Sequence, residues 1–335
     1  MSRLLSPIVD DLVASSTAQL IIPRTISKSA QDPRNFRRIS AAFDSARLAI
    51  AGFFNASGLK LGDRVLCPAY IGLSPKEGSG VLDPLLSLGL RVSFYRVTPD
   101  LGIDVENLRD LVASGDISGV IVIPFFGHVP SGYKEAIDLV REAGVLVLED
   151  EAHALLTDLV KGSTGRFGDA AVVSLHKFLP LKNGGGLFLN EDNQRTKTEA
   201  LERRGPITDI SDYDLSHIAQ RRIENTEALS TMLAPLSGVI EPLWTENRAN
   251  EVLHSYPVLL ASGSRDDVYE LMNGEGIGVV TLYHTLVPLI SPMEFPVSHR
   301  IANRILNLPI HQDLRTDDLQ RMVDRLYHHA TRLAS

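Results

Sequence analysis

The sequence has very little cysteine and no long hydrophobic segment. Cys67 is the single cysteine among 335 residues, which excludes an intramolecular disulfide and a multi-cysteine metal site. No window of 18 residues is both apolar and uncharged, so we expect no membrane span. The opening M-S-R-L-L-S-P-I-V-D-D lacks the long apolar run of a secretory signal. These features together predict a cytoplasmic protein in a reducing compartment.

Positive charge is also scarce. Lysine and arginine total 33 against 41 acidic residues, which gives a formal net charge of −8. Nucleic acids bind basic surfaces, so nucleic acid is not expected as the main partner. A single phosphate held by backbone N–H groups remains compatible with this charge. The 44% hydrophobic and 22% charged residues are typical of a globular protein, and the length allows two domains.

Short apolar runs alternate with helical patterns in the first two thirds of the chain. The runs at 119–126 and 144–150 are continuous rather than alternating, as in strands buried on both faces. Helical patterns cover 38–56 and 134–143. This order predicts an α/β fold with a mostly parallel sheet wrapped by helices. The predicted strands are 64–70, 91–97, 119–126, 144–150, 169–175 and 185–190.

The pattern changes near residue 196. A long polar helix is predicted at 214–236, and a final helix from Asp317. Between them the pattern predicts a strand at 255–260, a helix from about Arg265 and a strand near 278–283. We therefore expect a smaller C-terminal α+β domain. The predicted division is an irregular segment at 1–37, a large domain at 38–225 and a small domain at 226–335.

Two reactive side chains lie where predicted strands end. Asp150 ends the strand at 144–150, and Lys177 follows the strand at 169–175. Ligands of α/β proteins bind at this edge of the sheet. A lysine can form a Schiff base with an aldehyde, and a carboxylate can keep a pyridine nitrogen protonated. With a helix N-terminus near Ser45 for an anion, these groups meet the needs of pyridoxal 5'-phosphate (PLP).

Two segments resemble a known family at specific spacing. They are L-E-D-E-A-H-A at 148–154 and G-S-T-G-R-F-G-D-A-A-V-V-S-L-H-K at 162–177, with a glycine pair following at 184–185. Both resemble the DegT/DnrJ/EryC1/StrS aminotransferases, fold-type-I PLP enzymes, many of which aminate keto sugars. The segments L-G-D-R-V-L-C-P-A-Y, F-F-G-H-V-P and I-L-N-L-P-I-H agree with the same family. The resemblance covers roughly residues 40–330.

The resemblance implies a role for individual residues. Lys177 would carry the cofactor as a Schiff base, and Asp150 would hold the pyridine nitrogen, which makes both catalytic. Lys182 matches no family position and is interpreted as a loop charge. His176 could face either side of the sheet, because adjacent strand residues alternate. Besides Lys177 and Asp150, the predicted cofactor-binding residues are His153, Ser174, Ser45, Ala46, Tyr70 and His176.

The sequence departs from the family pattern at three places. The phosphate loop lacks its usual glycine at Ser45 or Ala46, and the position that often carries a stacking aromatic is Gly72. The G-x-N-x-R segment that reaches the partner subunit is not found at 203–214. These departures keep open a PLP-binding regulator or partner subunit without catalysis.

The resemblance favours one reaction over its rivals. It implies a homodimeric aminotransferase that moves an amino group from an amino-acid donor to a keto acceptor, with a keto sugar as one candidate. Related sugar dehydratases replace the lysine by histidine, so Lys177 argues against that alternative. A nucleotide-binding reductase is weaker still, because no G-x-G-x-x-G follows the first strand. No metal site is predicted.

Overall fold

The computed structural model describes residues 39–190, 196–197, 201, 210–245 and 249–334. Its main element is a seven-stranded sheet with the strand order β1-β7-β6-β5-β4-β2-β3. Strands β3, β2, β4, β5 and β6 are parallel, while β7 is antiparallel to β6 and β1 antiparallel to β7. The strands are β1 Ala41–Phe43, β2 Arg64–Pro68, β3 Arg91–Tyr95, β4 Gly119–Val122, β5 Leu146–Asp150, β6 Ala170–Ser174 and β7 Gly185–Leu189.

Helices cover both faces of this sheet, which explains why the central strands are apolar along their whole length. In β4, Ile121 packs into the core that contains Phe53, while its neighbour Val120 packs into the opposite core with Ile137. The predicted mostly parallel α/β sheet is therefore confirmed. The helices of this part are α1 Ala46–Ala56, α2 Leu82–Ser87, α3 Val105–Ala113 and α4 Tyr133–Glu142.

A smaller antiparallel sheet follows, with the strand order β10-β9-β8. Helices pack on it around a core that includes Leu229, Met272 and Leu326. The expected α+β character of the C-terminal part is thus confirmed. Its elements are α5 Leu215–Leu233, β8 Ile240–Pro242, β9 Tyr256–Leu260, α6 Arg265–Gly274, α7 Pro296–Ala302, β10 Ile305–Leu308 and α8 Thr316–Ala334.

The predicted domain boundary between residues 225 and 226 falls inside α5, which runs without interruption from Leu215 to Leu233. The division into 38–225 and 226–335 therefore stays a prediction. The segment 1–37 lies outside the described residues. Within the described ranges, no helix is both long and apolar enough to cross a membrane.

Two sequence predictions of secondary structure are wrong. The helix expected over 38–56 begins only at Ala46, because Ala41–Phe43 pair with β7 as an edge strand. The strand expected near 278–283 is reduced to one bridge between Val280 and Asn307, and the chain turns at Tyr283. The third strand of the small sheet is instead β10, which pairs with β9.

The start of α1 lies directly against β7. Ser45 caps the helix, and its Oγ accepts a hydrogen bond from the Leu48 N–H at 3.3 Å. A Cβ atom added to Gly185 would lie 2.2 Å from the Ser45 carbonyl carbon and 2.4 Å from the Ala46 nitrogen. Glycine at position 185 therefore sets how closely the helix N-terminus approaches the sheet.

We expect Gly185→Ala to destabilise the protein by about 2 kcal/mol or more, because the added methyl group collides with backbone that cannot rotate away. Urea unfolding would measure the change. Gly274→Ala is the matched control: no atom lies within 4 Å of its added Cβ, and alanine favours the helix. Equal stability of the two variants would contradict the close approach described above.

Candidate active site

A cleft of about 780 Å³ opens at the carboxyl edge of the parallel strands. The end of β5 contributes Asp150 and the end of β6 contributes Ser174, and the N-terminus of α1 lies at one side. Loop residues 71–78 and 281–285 form the remaining walls. The cleft brings together seven predicted site residues: Ser45, Ala46, Asp150, His153, Ser174, His176 and Lys177.

Lys177 stands at the centre of this cleft. It ends a short 3₁₀ turn, Leu175–Lys177, that follows β6 directly. Its Nζ lies 2.8 Å from Nε2 of His153, and its side chain is partly buried. Burial lowers the pKa of Lys177 to about 8, although the nearby carboxylates of Asp150 and Glu77 act in the opposite direction. The neutral, nucleophilic form of the amine is therefore more populated near neutral pH than in an exposed lysine.

Asp150 is the buried acid of the site. Only 5% of the residue is exposed, and its Oδ1 accepts a hydrogen bond from the Ala152 N–H at 3.0 Å. Burial raises the pKa of Asp150, while the Lys177 ammonium and the Ala152 N–H oppose this shift. The carboxylate thus has one backbone partner and a cation nearby, and the side chain faces the cleft.

His153 is held between two flat rings. Phe126 stacks on it at a centroid distance of 5.8 Å and 23°, and His254 stacks at 4.9 Å and 20°. Burial lowers the pKa of His153 well below its usual value, and the nearby Lys177 and His254 add to this effect. The ring is therefore neutral, and the stacking keeps its Nε2 directed at Lys177. Its Nδ1 has no hydrogen-bond partner among the described atoms.

One side of the cleft offers hydroxyl and N–H groups. Ser174 Oγ lies 3.4 Å from Nδ1 of His176, and the N-terminus of α1 begins at Ser45 and Ala46. The first N–H groups of a helix attract anions. The sheet alternation that could direct His176 away does not apply, because the residue lies in the 3₁₀ turn and lines the cleft with Lys177.

Glu149, the residue before Asp150, holds the turn formed by G-R-F-G at 165–168 through hydrogen bonds. Glu149 is fully buried, and Oε1 accepts hydrogen bonds from the N–H groups of Phe167 and Gly168 at 2.8 and 2.6 Å. Its Oε2 accepts from the Gly165 N–H at 2.7 Å and from a tyrosine hydroxyl. This turn leads into β6, so Glu149 determines where β6 starts beside β5.

Tyr70 is not brought to the cleft. Its ring is fully buried and packs on Phe125 and Tyr283 at centroid distances of 5.3 and 5.6 Å. Lys182, interpreted from sequence as a loop charge, is exposed and lies on the cleft rim.

Sequence reasoning missed Phe126, His254 and Tyr283, which all contact His153. Phe126 lies inside F-F-G-H-V-P, which was compared with the family but not assigned a chemical role. His254 and Tyr283 lie in none of the motifs that were compared.

The family model of the DegT/DnrJ/EryC1/StrS aminotransferases matches residues 37–215 and 213–327. The chain belongs to this family. The matched ranges contain the whole cleft, and the enzyme class is therefore that of an aminotransferase.

One relative of this DegT/DnrJ/EryC1/StrS protein is named as an amino-sugar transaminase, and two solved structures share the fold of the chain. A UDP-4-amino-4,6-dideoxy-N-acetyl-beta-L-altrosamine transaminase from Campylobacter jejuni is 22% identical over 331 residues, covering 85% of this chain and 88% of the relative. A Brucella abortus family member of known structure is 18% identical with a TM-score of 0.70, over 97% and 96% of the chains. Spr1654 of Streptococcus pneumoniae, solved in a PMP form, has a TM-score of 0.71 at 14% identity, over 99% and 91%.

The family and its solved members imply PLP, and the cleft residues fit that group. Lys177 supplies a partly neutral amine, and Asp150 supplies a buried carboxylate for a protonated ring nitrogen. The unpartnered Nδ1 of His153 and the hydroxyl of Ser174 are further polar groups at the site. The close approach at Gly185 places the helix N-terminus on the side suited to a phosphate.

The lowered pKa of Lys177 has a measurable consequence. Labelling of Lys177 by trinitrobenzenesulfonate should rise with pH around a midpoint near 8, because only the neutral amine reacts. In Asp150→Asn the midpoint should fall, since the carboxylate that favours the charged amine is gone. Peptide mapping would separate this site from other lysines. Lys182→Ala is the control and should leave the midpoint unchanged; a rise in Asp150→Asn would contradict the pairing.

Proposed function

We propose that this protein is a PLP-dependent aminotransferase that moves an amino group from an amino-acid donor to a keto acceptor. The observation that carries the proposal is the position of Lys177. Its amine lies 2.8 Å from a neutral His153 and beside the buried Asp150, all in one cleft at the carboxyl edge of the sheet. Such a set of perturbed groups in a cleft is typical of a catalytic site.

Each of these residues has a distinct task in the proposed reaction. When bound, the cofactor would supply an aldehyde for the amino group and an electron sink for the substrate carbon. Lys177 Nζ would hold the cofactor, take a proton from the substrate carbon as a base and return it as an acid. Asp150 would keep the proton on the ring nitrogen. His153, held by its two stacking neighbours, would keep the Lys177 amine oriented.

A keto sugar is the acceptor class that we favour. The Campylobacter jejuni relative is named as a transaminase of a UDP-linked amino sugar, and a Shigella dysenteriae relative as one of a dTDP-linked amino sugar. The cleft volume of about 780 Å³ is large for an amino acid alone. Its rim carries four basic side chains that would suit the phosphates of a nucleotide sugar: Arg47, Lys76, Lys182 and His284.

The oligomeric state in this proposal rests on the family alone. A homodimer would let a partner subunit complete the site, and sedimentation of the purified protein would measure it. The segment that would carry the G-x-N-x-R motif lies at 203–214, of which 203–209 fall outside the described residues. The cytoplasmic location likewise stays a prediction. Retention of Lys177 supports transamination over dehydration.

The proposal can be tested by trapping. The protein should turn yellow with PLP, and borohydride reduction followed by peptide mapping should place the pyridoxyl group on Lys177. Lys177→Ala should lose both the adduct and amino transfer by several orders of magnitude, because the other described lysines of the cleft, Lys76 and Lys182, are exposed. Lys182→Ala is the matched control and should retain the adduct. An adduct on Lys182 in the wild-type protein, or no adduct at all, would refute the proposal.

Turnover distinguishes the aminotransferase from its main rival. The proposed enzyme should convert bound PLP to its amine form with an amino donor such as glutamate, seen as loss of the visible absorption band. A protein that binds PLP on Lys177 but stays unchanged with every amino donor would instead be the non-catalytic regulator or partner subunit.

A further inference from the structure

Tyr283 lies in the cleft but comes from the C-terminal part of the chain. Its loop lines the same cavity as Asp150 and Lys177. The ring centroid lies 5.6 Å from that of His153, at an angle of 60°. The fully buried Tyr70 also packs on the Tyr283 ring, at a centroid distance of 5.6 Å. Tyr283 is therefore a supported aromatic surface within the cleft.

The space that Tyr283 fills exists because residue 72 is glycine. A Cβ atom on Gly72 would lie 2.8 Å from Cδ1 and 3.1 Å from Cα of Tyr283. The two loops are joined on both sides of this contact: the Leu73 N–H donates to the Thr285 carbonyl at 2.8 Å, and the Val287 N–H donates to the Ile71 carbonyl at 3.0 Å. These hydrogen bonds hold the chain that follows Tyr283 against the loop that contains Gly72.

The backbone at Tyr283 adopts a conformation that aromatic residues rarely take. Its φ is +59°, in the left-handed region. Among the described residues other than glycine, φ is positive only at Leu101, Phe126 and Tyr283. Two of these three place a ring on His153, Phe126 at 5.8 Å and Tyr283 at 5.6 Å. Strained conformations of this kind concentrate at functional sites.

Phe126 and Tyr283 differ in their access to a ligand. Phe126 is fully buried and does not line the cleft, so its ring serves His153. Tyr283 is partly exposed and lines the cleft. Burial raises the pKa of its hydroxyl and the nearby Asp150 carboxylate raises it further, so the side chain is neutral. A neutral aromatic face beside a buried carboxylate suits a flat heterocycle with a protonated nitrogen.

We propose that Tyr283 is a cofactor-binding residue whose ring forms the aromatic wall of the site. The ring of Tyr283 lies against Gly72, in space that a side chain at position 72 would fill. Tyr283 therefore takes the role that the sequence suggested for Tyr70 or for a residue at position 72. This inference rests on the proposed function, since it concerns the same cofactor. Tyr283 is a binding residue here, and its hydroxyl is not required for this role.

Cofactor affinity tests this inference without any measurement of catalysis. Apoenzyme would be titrated with PLP and the dissociation constant read from the visible absorption band. Tyr283→Ala should weaken binding about 10-fold, the loss expected for one aromatic contact, while Tyr283→Phe should bind as the wild type does. Leu289→Ala, an exposed change that follows the same loop and does not line the cleft, is the matched control and should also bind normally. Thermal unfolding of each apoenzyme would exclude a general loss of structure.

A second variant tests whether the ring acts through its aromatic face. Tyr283→Leu keeps an apolar side chain at the same place without an aromatic face, and should bind PLP more weakly than the wild type. Normal affinity in folded Tyr283→Ala or folded Tyr283→Leu would overturn the inference. Either result with a normal Lys177 adduct in the wild type would leave the proposed function intact. Absence of that adduct would refute the proposed function itself.

Discussion

The contact between the Lys177 amine and the His153 ring is the interaction on which the site depends. It joins the ends of two neighbouring parallel strands, since Asp150 ends β5 and Lys177 follows β6. The amine lies in surroundings that disfavour its charged form, and the histidine beside it is neutral. Asp150 and, to a smaller extent, Glu77 favour the ammonium. Burial and these acids act in opposite directions on the pKa of Lys177. The amine that results can react as a nucleophile, and His153 orients it.

The fold supports this contact through polar groups that take no part in the chemistry. Glu149 holds the Gly165–Gly168 turn by three backbone hydrogen bonds, and Asp169 at the end of the turn accepts the Val147 N–H at 2.8 Å. These bonds fix the register in which Asp150 lies opposite Val172. These motif residues hold the turn and the two strands in place. The spacing between them is set by the length of the turn and not by contacts with a ligand.

Sequence alone predicted the sheet, Lys177 and Asp150, because continuous apolar strands and strand-end residues leave strong local signals. It failed where structure depends on distant contacts. The residues before α1 read as helix, yet Ala41–Phe43 find a partner in β7 more than 140 positions later. His254 and Tyr283 carry no local signal, since only the folded chain brings them to His153. The left-handed backbone at Tyr283 is likewise invisible in a hydrophobicity pattern.

The stacking of His254 on His153 has a consequence for synthesis of the chain. The His254 N–H donates to the Phe126 carbonyl at 2.7 Å, which ties the C-terminal segment to the loop beneath the site. A growing chain that ends before residue 254 already contains Lys177, but it lacks one of the two rings that hold His153. The two rings that stack on His153 therefore come together only after the C-terminal segment has folded back onto the large sheet.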